Sequence, residues 1–166
     1  ISLGLVGSEM CIRDSRIIES GILSEPEGRP LAKVIRKLRD HIADEQRAVE
    51  GADAATRAFL LADFHVCLAE QLGHQLLVDV LRDLTARTTL AATLYQSKHE
   101  ASQSCADHEA IVAALENGDR PRARSLMLAH IGNVERALEV EASAEPDASA
   151  RLRATLAPVA LPRAKR

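Results

Sequence analysis

The chain has 166 residues, 46% hydrophobic but only 2% aromatic, with no tryptophan and a net charge of −3. That length suits one domain with a single core, and a core so poor in rings must be aliphatic, which favours packed helices over strands. Both charge signs are interspersed, few rings could stack on bases, and no apolar run has spanning length. The stretch is therefore a poor nucleic-acid binder and not a membrane protein.

Residues 1–15 come first and behave unlike the rest. They are rich in Gly and Ser and their apolar residues lack a helical period. No basic region precedes them, so they do not read as a secretory signal. The run from Leu5 to Ser15 resembles a translated sequencing adapter. Residues 1–15 are therefore set apart as a non-native segment, expected to pack against nothing, and the natural gene is expected to continue upstream of Arg16. Cys11 lies within this segment. Cys67 and Cys105 remain, too few for a disulfide framework and suited to a reducing cytoplasm.

A short helix is expected over 16–23, closed before Pro26, with a turn at 27–30. Leu31, Val34, Ile35, Leu38 and Ile42 recur at helical spacing and predict a helix over 31–50. Gly51 breaks it, and Asp53 can cap the next, over 54–72. Gly73 and His74 end that one. Further helices are predicted over 75–96, 101–116 and 120–142. Asn117-Gly118 forms a stop and Asp119 an N-cap between the last two. Residues 143–166, broken by three prolines and basic at the end, read as a disordered tail. A short helix at 148–156 and a tail contact with DNA are the alternatives. The fold class is all-α, an antiparallel bundle of about six helices, with residues 16–142 as the folded domain.

Three histidines fall on apolar helix faces. His65 shares its face with Leu61, Leu68 and Leu72, His108 with Ile111, Val112 and Leu115, and His130 with Leu126, Met127 and Val134. A buried neutral imidazole needs partners for both nitrogens. A metal on one and a hydrogen-bond acceptor on the other supply them. A core histidine without metal is the alternative for each. His41, His74 and His99 flank polar residues or helix ends and read as surface or capping groups.

Three pieces carry a family resemblance: Phe64-His65 through Gly73, His108 through Asp119, and Ala123 through His130. The histidines stand 43 and 22 residues apart. From about Arg16 to Val140 the chain resembles the FCD domain, the effector-binding C-terminal domain of FadR-type GntR-family transcription regulators. The resemblance implies that His65, His108 and His130 hold a divalent metal, zinc first and nickel or manganese as alternatives. It also implies a homodimer, and DNA binding through an N-terminal winged helix that this chain lacks. The family's fourth ligand, an aspartate four residues before the first histidine, is Leu61 here. Asp63 is about 200° away from His65 around a helix and is no replacement. Cys105, one turn before His108, is a weaker candidate for a sulfur ligand.

The expected function is that of a sensor whose metal keeps positions open for a small carboxylate. Arg87, then Arg82, are the expected cationic contacts for the effector's far end. A three-histidine ion in an aliphatic cavity would also call for an anion. A metal-free helical interaction module is the rival reading. A metal-dependent hydrolase is a third, without a visible general base beside the histidines.

Overall fold

The aliphatic periodicities fold as helices throughout the computed structural model, which describes residues 5–25 and 31–144. Six helices follow in chain order: α1 (Leu5–Ile22), α2 (Leu31–Gly51), α3 (Ala54–Leu72), α4 (Gln75–Tyr95), α5 (Lys98–Glu116) and α6 (Arg120–Ala144). No strand occurs among the described residues. The expected turn at 27–30 and the tail beyond residue 144 lie outside them.

Local chemistry sets the boundaries. Asp53 caps α3, its carboxylate accepting from the Thr56 backbone N–H at 2.9 Å. Gly73 ends α3 at φ 94°, and Gly118 follows α5 at φ 72°. Those left-handed conformations close a helix at little steric cost only for glycine. Asp119 accepts from the Arg122 backbone N–H at 2.9 Å and starts α6. Two helix starts differ from expectation, that of α1, at Leu5 rather than Arg16, and that of α5. α5 starts at Lys98 rather than near Ala101, because Ser97 and Glu100 form a reciprocal capping box. The Ser-x-x-Glu signature was present in the sequence.

The helices close into a ring. α1 packs on α4, α4 on α3, α3 on α2, α2 on α5, α5 on α6, and α6 back on α1. Short connections make α2–α3, α3–α4 and α5–α6 antiparallel neighbours. The core is aliphatic, as composition required. Leu38, Leu68, Leu72, Leu81, Ile111, Leu115 and Met127 are almost wholly buried, with Phe64 as the single large ring among them. Each contributes about 1.5–3 kcal/mol relative to exposure.

α1 corrects one expectation. Residues 1–15 were expected to pack against nothing, yet α1 runs through this segment and buries Cys11, Ile12 and Ser15. Ile12, Ser15, Glu19 and Ile22 recur at helical spacing, so one face of α1 continues backward across the Ser15–Arg16 junction.

Candidate metal centre

His65 projects from α3, His108 from α5 and His130 from α6. Leu61, Leu68 and Leu72, one turn and more from His65, are all buried and turn that face of α3 inward. His108 and His130 are buried outright, and the His65 side chain is 12% exposed. One ring nitrogen from each histidine lies within 4.8 Å of the others. A tetrahedral site with metal–nitrogen bonds near 2.0–2.1 Å needs nitrogens roughly 3.3 Å apart. The triad is thus slightly more open than a closed site and can hold a metal ion.

Each ring has a carboxylate on its Nδ1. Glu19 of α1 lies 2.5 Å from His65 Nδ1. Both Glu45 oxygens, from α2, lie 2.9 and 3.0 Å from His108 Nδ1. Asp107 of α5 lies 3.2 Å from His130 Nδ1. In each ring Nε2 is the nitrogen left for the centre. Phe64 stacks on His108 with centroids 3.9 Å apart and 10° between planes, holding that ring in place.

Glu45 is a hub. It is wholly buried, and besides His108 it accepts from the Cys105 thiol and faces His41 Nε2 at 3.3 Å. His41, read from sequence as a surface group, is instead part-buried against Glu45 and the Leu60 carbonyl. Cys105 spends its S–H on Glu45. Burial and that carboxylate push its pKa up to about 12, and the group of side chains that converges on the centre is the three histidines, without Cys105. His74 caps nothing with its side chain, and its Nε2 is buried with no hydrogen-bond partner.

The charges follow from these contacts. Burial works against a charged His65, but the Glu19 charge and hydrogen bond outweigh it and its pKa is raised. Burial lowers His108 and prevails over Glu45. Burial and the neighbouring His108 lower His130 to about 4. Burial opposes charge on Asp107 too, but hydrogen bonds from His130, Gln103 and Asn133 win and bring it to about 2. At neutral pH, His108 and His130 are neutral imidazoles beside ionised carboxylates.

That state leaves a proton missing. His108 Nε2 and His130 Nε2 face each other at 3.1 Å. The Glu45–His108, His108–His130 and His130–Asp107 contacts need three protons, and two neutral imidazoles carry two. With both Nδ1–H groups donating to carboxylates, two Nε2 lone pairs meet head-on. A cation between them removes the conflict. A proton there would make a buried imidazolium, which the lowered pKa values oppose. A divalent metal would accept both lone pairs and leave each Nδ1–H on its carboxylate, the usual outer-shell arrangement for metal-bound histidine.

The triad opens onto a cavity of about 70 Å³ lined also by Glu19, Leu61 and the α4 residues Thr85, Thr88 and Thr89. Leu61 faces the cavity where the family resemblance implied an aspartate. The structure brings the three expected histidines together but not the two expected arginines. Arg87 is exposed, and Arg82 pairs with Asp79 on the surface at 2.8 Å. Neither lines the cavity. The reason is helical phase, because α4 turns Thr85 and Thr89 inward and Arg87, two residues from each, falls on the opposite side. The expectation of an aliphatic, anion-free surround is also corrected, since Glu19, Glu45 and Asp107 back the three rings.

The family model described as the FCD domain matches residues 16–133. No curated protein and no solved structure matches the chain. FCD domains are effector-binding domains of GntR-type regulators rather than a catalytic family, and none of the described helices is long and apolar enough to cross a membrane. The match covers most of the chain and includes all three histidines and all three of their carboxylate partners, so the chain belongs to the FCD domain family.

Proposed function

We propose that the chain is the sensory domain of a GntR-type transcription regulator. In this reading His65, His108 and His130 hold a divalent metal through Nε2, and a small organic acid completes the coordination. The observation that carries the reading is the 3.1 Å contact between two Nε2 atoms whose Nδ1–H groups are already committed to carboxylates. Three neutral nitrogens favour zinc or nickel over manganese. With Leu61 in place of an anionic ligand, the ion keeps positions open for an exogenous oxygen. Coordination, rather than charge, supports an acid here, because three protein carboxylates already offset the ion.

Effector binding would shift helix packing and alter the pose of a DNA-binding winged helix carried N-terminal to this domain. The functional unit in this reading is a cytoplasmic homodimer. Ile17 of α1 and Leu76 and Val80 of α4 are exposed apolar side chains on neighbouring helices, and they support such pairing. Residues 1–15 are proposed to be non-native. The family match begins at Arg16, where the adapter-like run ends.

The test is thermal melting of metal-stripped and zinc-reloaded protein with a panel of short carboxylates. The reading requires that zinc raise the melting temperature and that an acid raise it further only when zinc is present. Leu61 in place of the fourth ligand favours the rival metal-free module, which would show the same acid response with and without zinc.

A further inference from the structure

The carboxylate behind His65 is held differently from the other two. Glu45 has three donors around it, and Asp107 accepts from His130, Gln103 and Asn133. Glu19, on α1, is 2% exposed. Its one hydrogen bond is the contact of 2.5 Å with His65 Nδ1, and that contact is also the one hydrogen bond of the His65 ring. His65 Nε2 therefore has no hydrogen-bond partner in the protein, whereas the Nε2 atoms of His108 and His130 face each other. A second contact fastens α1 beside the first. Arg16 pairs with Glu135 of α6 at 3.1 Å. Its guanidinium lies over Gly132, where a Cβ would stand 2.9 Å from Arg16 Nη2. Arg16 and Glu19 share a face of α1 and tie it to α6 and α3, two of the helices that carry the triad.

A buried carboxylate with a single donor depends on that donor. If the His65 ring turns away, Glu19 is left buried and unpaired, and only movement of α1 returns it to water. A ring committed at both nitrogens has one orientation, and a ring committed at Nδ1 alone does not. We infer that Glu19 is a positioning residue that ties the docking of α1 to the occupancy of the triad. With His65 Nε2 committed to an ion, Nδ1–H stays aimed at Glu19 and α1 stays docked on α3 and α6. With Nε2 free, α1 opens more often. The coupling is reciprocal, so docked α1 tightens ion binding by the same factor. α1 precedes every other helix of the domain, which makes it the element through which occupancy would reach a domain on the N-terminal side. This inference rests on the reading of the triad as a metal centre.

The experiment follows backbone amide hydrogen exchange of the full chain, metal-stripped and zinc-saturated, with bound zinc measured on the same samples. Zinc should slow exchange in the 16–22 stretch of α1 about tenfold, an ordinary coupling between sites. α4, which supplies neither an imidazole nor a carboxylate, should slow by less. Glu19→Ala should erase the α1 response at saturating zinc while circular dichroism stays helical. Glu19→Gln keeps the shape and a neutral acceptor and should leave a smaller response than the native chain; it decides the matter if the alanine variant does not fold. If the native chain retains no zinc, the metal centre itself is wrong and the coupling falls with it. If zinc is retained but α1 slows no more than α4, the metal centre stands and α1 is not coupled to it. If both Glu19 variants keep the full α1 response, the coupling does not run through Glu19.

Discussion

Glu45 sets the geometry of the centre at the scale of single residues. His108 Nδ1–H and the Cys105 thiol both donate to a carboxylate with no access to water. Glu45→Gln keeps the shape but removes the charge that orients His108, and zinc affinity should fall about 10- to 100-fold. Competition with a fluorescent zinc chelator reads this directly; unchanged affinity would mean that Glu45 is structural only. Arg87→Ala, on the far side of α4, should leave zinc and carboxylate binding unaltered. The buried histidines also set an acid limit. In the unfolded chain His130 protonates near its ordinary 6.5, whereas in the fold it does so near 4. Between those values the unfolded state binds a proton that the folded state refuses, so stability falls as pH falls. For His130 alone the loss reaches about 3 kcal/mol, and the lowered His108 acts in the same direction. The raised His41 and His65 have the opposite sign. Their contribution is fully present below 6.5 and is lost as pH rises through their folded values. The metal-free protein should therefore melt at steadily lower temperature from pH 6.5 to 4.5. A flat profile over that window would contradict neutral burial of His108 and His130.

At the scale of elements, capping residues decide where helices begin. Ser97 accepts from the Glu100 backbone N–H, and the Glu100 side chain accepts from the Ser97 N–H at 2.8 Å. Ser97→Ala should cost about 1 kcal/mol, read as a drop of about 3 °C in melting temperature. No drop would show that tertiary packing alone holds the start of α5. These elements show what was legible in the sequence. Periodic aliphatic faces and terminal Asp and Gly residues gave α3 its full extent, and they placed the three histidines inward on three helices. The carboxylates behind the rings were not found, although a signal existed. Glu45 interrupts the apolar stripe Leu38, Ile42, Val49, and Glu19 interrupts Ile12, Ile22. A charged residue on an inward face has to meet a partner, but which partner depends on packing between helices far apart in sequence, which periodicity does not encode. Arg87 was misplaced for the same reason, because the phase of α4 against the cavity is fixed by its neighbours α1 and α3.

On the scale of the whole molecule, all six helices of the ring reach the site. α1, α2 and α5 supply carboxylates, α3, α5 and α6 supply imidazoles, and α4 supplies the threonines that line the cavity. A ligand that bridges the triad and α4 therefore couples helices on opposite sides of the bundle. α1 carries the strongest tension in the molecule, since its first half has an adapter-like sequence and yet buries Cys11 and Ile12. Removing residues 1–15 should lower the melting temperature by about 5 °C, given the apolar area uncovered; an unchanged value would show that the segment packs on nothing in solution. Leu76 is 90% exposed, and Leu76→Arg should shift sedimentation toward monomer if α4 pairs across a homodimer. The most direct test of the whole account is the zinc content of the chain after metal stripping, reloading and exhaustive dialysis. One zinc ion per chain is expected, falling to near zero in each of His65→Ala, His108→Ala and His130→Ala while circular dichroism stays helical; a chain that retains no zinc, or retains it equally in all three variants, contradicts the metal centre.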